Sequence, residues 1–444
     1  MKNSIFQKNL LARKLICVDT IYMRKLMKNN FVRFFSVAFI WLAVLSCSAE
    51  GDAATADSNK EPAVVEKQEL VPFSEVAVDT ELFTLAKSMK TGWNLGNSFD
   101  ATSNIDNFSS QNAGLASLES WGVPRARKET METLAQAGFK TVRIPVSWSN
   151  HIIDKEYTID PEWMAKVKEC VDWAIDCNLF VILNIHHDNA PSESGFKYGR
   201  GYYPTNKCYD ESLKFVTRVW TQIAETFRDY DGHLVFETLN EPRLRKNVHE
   251  WNYEAGCSKC NEAIDVINRL NQKTVDAIRA TGGNNAKRFI TVPSIAASPW
   301  AAFAEKFKVP EDPAKRVGIS THAYSPYAFA MQKNKEGGTS KFTPAHAKEL
   351  EYMFNELNDK FVSKGIPVIM GEYGATNKYN DGDREAWFKC YLENAKKYNV
   401  VCVLWDNNAP YNNDESERFG YLNRSTLQWT FPSIINVING VYKD

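Results

Sequence analysis

Leu234-Val235-Phe236-Glu237-Thr238-Leu239-Asn240-Glu241-Pro242 is the stretch whose reading decides the fold: a mostly apolar run of strand length that gives way to Asn, Glu and Pro. The same pattern recurs in both directions along the chain. Candidate strands are Thr91–Leu95, Thr141–Pro145, Phe180–Ile185, Leu234–Leu239, Arg288–Val292, Gly318–His322, Pro367–Met370 and Val400–Leu404. Amphipathic helical stretches lie between them. One opens with Asp160 as N-cap and Pro161 in its first turn and stops near Asn178. Another runs from about Pro124 to Ala137 and stops at Gly138. Others cover roughly 211–229, 262–280, 344–363, 384–398 and 432–441. Eight strands alternating with helices predict an α/β fold, a (β/α)8 TIM barrel. A doubly wound open sheet is the rival pattern, weakened because no Gly-x-Gly-x-x-Gly opens the first βα unit.

The residues at the end of each apolar run carry the chemistry. Strand two bears Arg143 near its end, and strand three runs into His186-His187-Asp188. Strand four ends in Asn240-Glu241-Pro242, strand six in His322-Ala323-Tyr324, strand seven in Gly371-Glu372-Tyr373 and strand eight in Trp405-Asp406. In a barrel these C-terminal strand ends converge on one mouth, where active sites lie. Any one of them alone reads as a capping or loop-satisfying residue. Six in succession, with compatible chemistry, read as a site.

Strands four and seven face each other across an eight-stranded barrel, which sets Glu241 against Glu372. Hydrolysis of a glycosidic bond needs one carboxylic acid to protonate the leaving oxygen and one carboxylate on the other side of the anomeric carbon. Carboxyls about 5–5.5 Å apart leave no room for water between them, so Glu372 would attack directly and configuration would be retained. Arg143 and Tyr324 are expected to hold Glu372 ionised. Glu241 must begin protonated, which asks for apolar neighbours and a nearby negative charge. Asn240 suits a sugar 2-hydroxyl, His322 suits orienting Glu241 or shuttling its proton, and Trp405 suits a sugar platform. Asp188 and Asp406 are the alternative acids.

Composition bounds the rest. The 444 residues are 44% hydrophobic and 24% charged, with a formal net charge of -1, which gives no electrostatic reason for a nucleic-acid partner. The 12 Trp, 18 Tyr and 25 Phe serve core packing first, but aromatic faces also stack on sugars. Arg24, Lys25, Lys28 and Arg33 precede an apolar run from Phe34 to Ser46, too short for a comfortable membrane span and suited to a signal segment. Met23 and Met27 are alternative starts. Val44-Leu45-Ser46-Cys47 resembles a bacterial lipobox, which would make Cys47 a lipid anchor; cleavage near Ala49 is the competing reading. The expected organisation is a leader over 1–47, a small, acidic and polar linker over 48–75 and one catalytic domain over 76–444. The expected location is outside the cytoplasm, as a secreted protein or an outer-surface lipoprotein of a bacterium.

Seven cysteines remain after the leader: Cys170, Cys177, Cys208, Cys257, Cys260, Cys390 and Cys402. An odd number forbids complete intrachain pairing. Cys257 and Cys260 form a CxxC, but no second CxxC or histidine cluster sits nearby in sequence, so a loop disulfide, with Cys208 a candidate member, is expected before a zinc site. Cys402 reads as a buried small residue.

Across residues 80–440 the chain resembles glycoside hydrolase family 5. The resemblance rests on Gly92-Trp93-Asn94-Leu95-Gly96-Asn97, Val142-Arg143-Ile144-Pro145-Val146-Ser147-Trp148 and Leu183-Asn184-Ile185-His186-His187-Asp188. Glu237-Thr238-Leu239-Asn240-Glu241-Pro242-Arg243, Thr321-His322-Ala323-Tyr324 and Pro367-Val368-Ile369-Met370-Gly371-Glu372-Tyr373-Gly374 complete it. It implies Glu241 as acid/base and Glu372 as nucleophile, with Arg143, His186, Asn240, His322, Tyr324 and Trp405 around them. His187 is the alternative to His186. Asn97 and Trp121-Gly122 resemble the endoglucanase and xyloglucanase subgroup, making Asn97, Trp121 and Trp148 candidates for more distant glucose subsites; for both Trp, core packing is the equal alternative.

The resulting expectation is a retaining endo-β-1,4-glucanase acting on cellulose-type chains, mixed-linkage β-glucan or xyloglucan, as in plant cell-wall degradation. The polysaccharide is the expected partner and a monomer the expected state. Two carboxylates suffice, so no cofactor or metal is called for. A β-mannanase or xylanase on the same scaffold is one rival. A catalytically dead glycan-binding barrel is the other, disfavoured by the intact Glu241, Glu372, Arg143 and Tyr324.

Overall fold

The apolar runs fold as short parallel strands: β1 (Thr91–Asn94), β2 (Thr141–Ile144), β3 (Phe180–Asn184), β4 (Leu234–Glu237), β5 (Ile290–Pro293), β6 (Val317–His322), β7 (Val368–Tyr373) and β8 (Val401–Leu404). Each pairs with the next and β8 pairs with β1, so the sheet closes without an edge. This computed structural model describes residues 63–102, 112–194, 196 and 201–443. The expected leader over 1–47, with Cys47, and the first part of the linker lie outside the described residues. Among the described residues, no helix is long and apolar enough to cross a membrane.

Local chemistry sets the helix ends. The helix Pro161–Asp176 starts where the Asp160 side chain accepts from the Glu162 amide, with Pro161 in its first turn. The helix Lys128–Ala137 stops at Gly138, whose φ of 103° is the left-handed conformation glycine adopts without penalty. The helix Ser258–Ala280 begins four residues before the expected 262, because the Cys257 sulfur accepts from the Cys260 amide and caps it. Thiols are not among the usual caps, so the sequence does not mark that start.

The helix Leu82–Met89, just before β1, is not expected from the sequence. Glu81 caps it by accepting from the amides of Phe83 and Thr84. Its buried Leu82, Leu85, Ala86 and Met89 pack against Phe180, Ile182, Val235, Phe289, Ile369, Val401 and Val403. These are residues at or near the starts of the strands, so the helix stops the bottom of the barrel with an apolar floor. Burying each large side chain there stabilises the fold by about 1.5–3 kcal/mol.

Two strand pairings are irregular, β6 with β7 and β7 with β8, and both breaks flank Glu372. β6 and β7 shift register at His322, which pairs with Glu372 and skips Gly371. Such a bulge re-aims side chains. A Cβ on Gly371 would sit 3.0 Å from His322 Nε2 and 3.2 Å from Glu237 Oε1, so the bare backbone lets these groups approach.

All seven described cysteines are free thiols, so the expected loop disulfide is not found among the described residues. Cys170, Cys177, Cys208 and Cys402 are buried in the core, where they pack as small apolar residues.

Candidate active site

Above the apolar floor the barrel interior turns ionic. Arg143 projects inward from β2 with no exposed surface. Its Nε donates to Glu237 Oε2 at 2.8 Å, Nη1 donates to Asn94 Oδ1 and to Glu372 Oε1, both at 2.9 Å, and Nη2 donates to Asn240 Oδ1 at 2.7 Å. Acceptors from β1, β4 and β7 and from the segment just after β4 thus converge on one guanidinium, whose planar fork suits several acceptors at once. Asn94 is itself oriented by donating to the Gly371 carbonyl at 2.9 Å.

Glu237 is a counter-ion that the strand-end pattern does not reveal. It lies within β4, before the polar strand end, is 1% exposed, and accepts from Asn184 Nδ2 at 2.8 Å and from the Ser320 hydroxyl. Burial works to raise its pKa, but Arg143, His322 and Ser320 outweigh that and hold it at about 2. A signal existed: Glu237 and Arg143 each interrupt an otherwise apolar run, and two opposite charges on buried strands need each other.

His322 joins the two candidate catalytic carboxylates. Its Nδ1 lies 2.9 Å from Glu241 Oε1 and 3.6 Å from Glu372 Oε1, and its Nε2 lies 3.9 Å from Glu237 Oε1. Burial opposes a charge on the ring. The carboxylates of Glu372, Glu237 and Glu241 overcome that opposition and push its pKa up to about 9. The imidazole is therefore a cation at neutral pH.

The pKa shifts of the two carboxylates run in the opposite directions to the sequence expectation. Burial and the Glu241 charge raise the Glu372 pKa, against the pull of His322, Arg143 and the Tyr324 hydroxyl, which donates to Glu372 Oε2 at 2.8 Å. For Glu241, burial also acts upward, but the His322 cation, with Arg243 and His187, brings its pKa down. Glu372 is the deeper carboxylate, 7% exposed against 15% for Glu241. Glu241 pairs with His322 Nδ1 across a 2.9 Å hydrogen bond. An oxygen of Glu241 and an oxygen of Glu372 lie within 4.8 Å of each other.

The rest of the expected set surrounds this centre. His186 is buried, with Nδ1 3.1 Å from Asn184 Nδ2 and its ring parallel to Trp405 at 6.0 Å between centroids. Burial holds its pKa well below 6.5, so it is neutral. His187 is a quarter exposed, packs its edge on His186 and lies against Trp121 at 5.6 Å. Trp405 is half-buried, and Gly96 makes room for it: a Cβ there would meet the indole at 2.8 Å. Asn97 is half-buried in a left-handed conformation, φ 59°, with its amide donating to Asp100 Oδ2.

Trp148 is a correction. It has no exposed surface, and its Nε1 donates to the Asn184 carbonyl at 2.9 Å, so it packs the wall and offers no face to a sugar. Asp188 and Asp406, the alternative acids, are also committed elsewhere. Asp188 accepts from the amides of Trp148 and Ser149, and Asp406 from the amides of Tyr421 and Leu422 and from Trp93 Nε1.

Comparison with known proteins agrees with this geometry. The family model for cellulase (glycosyl hydrolase family 5) matches residues 97–410. Endoglucanase 1 of Ruminococcus albus is 42% identical over 375 residues, covering 83% of this chain and 84% of its own. A family 5 lichenase of Caldicellulosiruptor sp. F32, solved with cellotetraose, superimposes with a TM-score of 0.76 at 37% identity over 86% of this chain and all of its own. A broad-specificity endoglucanase of Ruminococcus champanellensis with bound cellotriose gives a TM-score of 0.73 at 40% identity, over 81% of this chain and 99% of that one. With a closed eightfold barrel, facing glutamates at its mouth and a family match across most of its length, the chain belongs to glycoside hydrolase family 5.

Proposed function

We propose that this chain is an endo-β-1,4-glucanase that cleaves cellulose-type and related β-glucan chains with retention, Glu372 acting as nucleophile and Glu241 as acid/base. The observation that carries this reading is the pair of glutamates with oxygens within 4.8 Å, closer than the roughly 6.5–9.5 Å carboxyl spacing that makes room for an attacking water in inverting enzymes. Relatives named as endoglucanases and lichenases support the substrate class.

In the mechanism, Arg143 and Tyr324 hold Glu372 with one oxygen each, which fixes the carboxylate beneath the anomeric carbon. Glu241 takes the proton it shares with His322 and delivers it to the leaving oxygen. Loss of that proton leaves Glu241 as the base that activates water for the second displacement. Arg143 occupies Asn240 Oδ1, which turns the amide nitrogen toward the 2-hydroxyl of the sugar. Trp405, with His186 behind it, supplies the stacking face at the cleavage subsite. Trp121, His187 and Asn97 are assigned to further glucose subsites in this reading.

Replacing the nucleophile tests the assignment: Glu372→Gln is expected to lose roughly 10,000-fold or more in kcat while still binding cello-oligosaccharides. Near-normal turnover would overturn it. Initial rates on carboxymethyl cellulose, barley glucan, xyloglucan, glucomannan and xylan test the substrate class, and a preference for mannan or xylan would replace the glucanase reading. Export as a lipoprotein belongs to the same proposal, supported by the basic flank, the apolar run and Cys47. Cys47→Ala should move the protein from the membrane to the soluble fraction, and unchanged fractionation would reject the anchor.

A further inference from the structure

The segment after β4 runs from Glu241 to Cys257 without helix or strand. That is longer than most strand-to-helix connections, and loops of this length usually carry a function. His249 lies near its middle, and Cys257 and Cys260 lie where it enters the helix Ser258–Ala280. The fold brings a ring nitrogen of His249 and both sulfurs within 4.8 Å of one another. In the sequence the CxxC has no evident histidine partner; the loop supplies one by folding back. We propose that His249, Cys257 and Cys260 bind a thiophilic divalent cation of the zinc class, which pins this loop beside Glu241.

The donor set selects the ion. Two sulfurs and one imidazole favour zinc over calcium or magnesium, which take oxygen ligands. Zn–S bonds of about 2.3 Å and Zn–N bonds of about 2.0–2.1 Å place tetrahedral ligands about 3.3–3.8 Å apart, so a contraction of about 1 Å completes the site. The two cysteines are already turned to one side, since the Cys260 amide donates to Cys257 Sγ at 3.2 Å. His249 and Cys257 are half-buried and Cys260 is 1% exposed, so a cation would reach the site from solvent and rest against the core. Water takes the fourth position.

The site connects to the cleft through adjacent residues. Glu250, next to His249, accepts from Arg243 Nε at 3.1 Å and from the Lys246 amide at 2.7 Å. Arg243 in turn donates to the Glu241 carbonyl at 2.9 Å and lies 3.5 Å from its carboxylate. The same guanidinium lies 4.0 Å over the ring of Trp251, which is 58% exposed. Fixing His249 therefore fixes the pair that borders Glu241. This link to catalysis rests on the acid/base reading of Glu241; the cation site itself does not.

The test uses the full, untagged chain, expressed with zinc and dialysed against metal-free buffer. Elemental analysis should find about one zinc per chain, and cobalt substitution should give a thiolate-to-cobalt charge-transfer band. His249→Gln and Cys257→Ser, at half-buried positions, should each lower zinc affinity by at least about tenfold. A chelator should lower the melting temperature of the parent and leave that of the variants unchanged. Parent protein without bound zinc under these conditions, a Cys257–Cys260 disulfide found by mass spectrometry, or full zinc retention in His249→Gln would each overturn the proposal. All these readouts are independent of hydrolysis, so failure of the glucanase reading would leave them interpretable.

Discussion

The lower and upper halves of the barrel interior are built from the same eight strands but solve opposite problems. At the bottom, Ile182, Val235, Ile369 and Val403 meet the side chains of the helix Leu82–Met89, and removal of apolar surface from water does the stabilising. Two residues further along β3 and β4, Asn184 and Glu237 join Ser320 of β6 around Arg143 and His322. Here burial is costly, and only a complete set of partners offsets it. The difference teaches where the fold is tolerant. Apolar contacts are non-directional and can repack, whereas each member of the ionic layer leaves a charge or donor stranded when it goes.

The sharpest way to break the contrast is Glu237→Ala. It strands Arg143 with Glu372 as its sole remaining anionic partner among the described residues, so we expect a loss of about 3–5 kcal/mol in stability. Hydrolysis should fall at least about 100-fold because Arg143 then no longer holds Glu372 in register. Denaturant unfolding together with kcat measures both, and a variant that keeps its activity would remove Glu237 from the site.

Met89→Ala tests the floor. Truncating this fully buried side chain should cost about 2–5 kcal/mol of stability. Below its unfolding temperature kcat/KM should match the parent. A lowered kcat in the folded variant would show that the two layers are mechanically coupled.

Protonation separates the layers further. The pKa of His322 is raised from 6.5 to about 9, so its stabilising contribution is full below pH 6.5 and is lost as pH rises through about 9. That of Glu237 is depressed from 4.5 to about 2, so its contribution is full above pH 4.5 and is lost as pH falls toward 2. Melting temperature should therefore peak between these limits, and His322→Asn should flatten the alkaline side. An unchanged alkaline slope in that variant would assign the loss to another group.

The smallest effect expected is at Tyr324. Its hydroxyl lowers the Glu372 pKa, so Tyr324→Phe should raise that pKa further and move the acid limb of kcat/KM to higher pH. A limb that stays in place would mean that a group other than Glu372 sets it.

The sequence alone determined the class of the fold, because eight apolar runs punctuated by helical stretches admit few architectures. It also determined both glutamates and most of their neighbours, because polar residues directly after apolar strands declare themselves against that background. The strand-end pattern passed over Glu237 and Asn184 because they lie inside runs that otherwise read as core; the charge of Glu237 was the one signal, and strand register shows where it points. It left Trp148 ambiguous because an indole reads the same in a wall or a platform, and burial decided for the wall. The N-terminal floor escaped because eight residues carry too little helical periodicity to stand out. Proton placement between Glu241, Glu372 and His322 belongs wholly to the tertiary structure. It depends on distances among side chains from three different strands, 81 and 48 positions apart in the chain for the closest contacts, and no local pattern encodes those. The meeting of His249 with Cys257 and Cys260 has the same origin: the residues are in the sequence, but their convergence is made by the path of the loop.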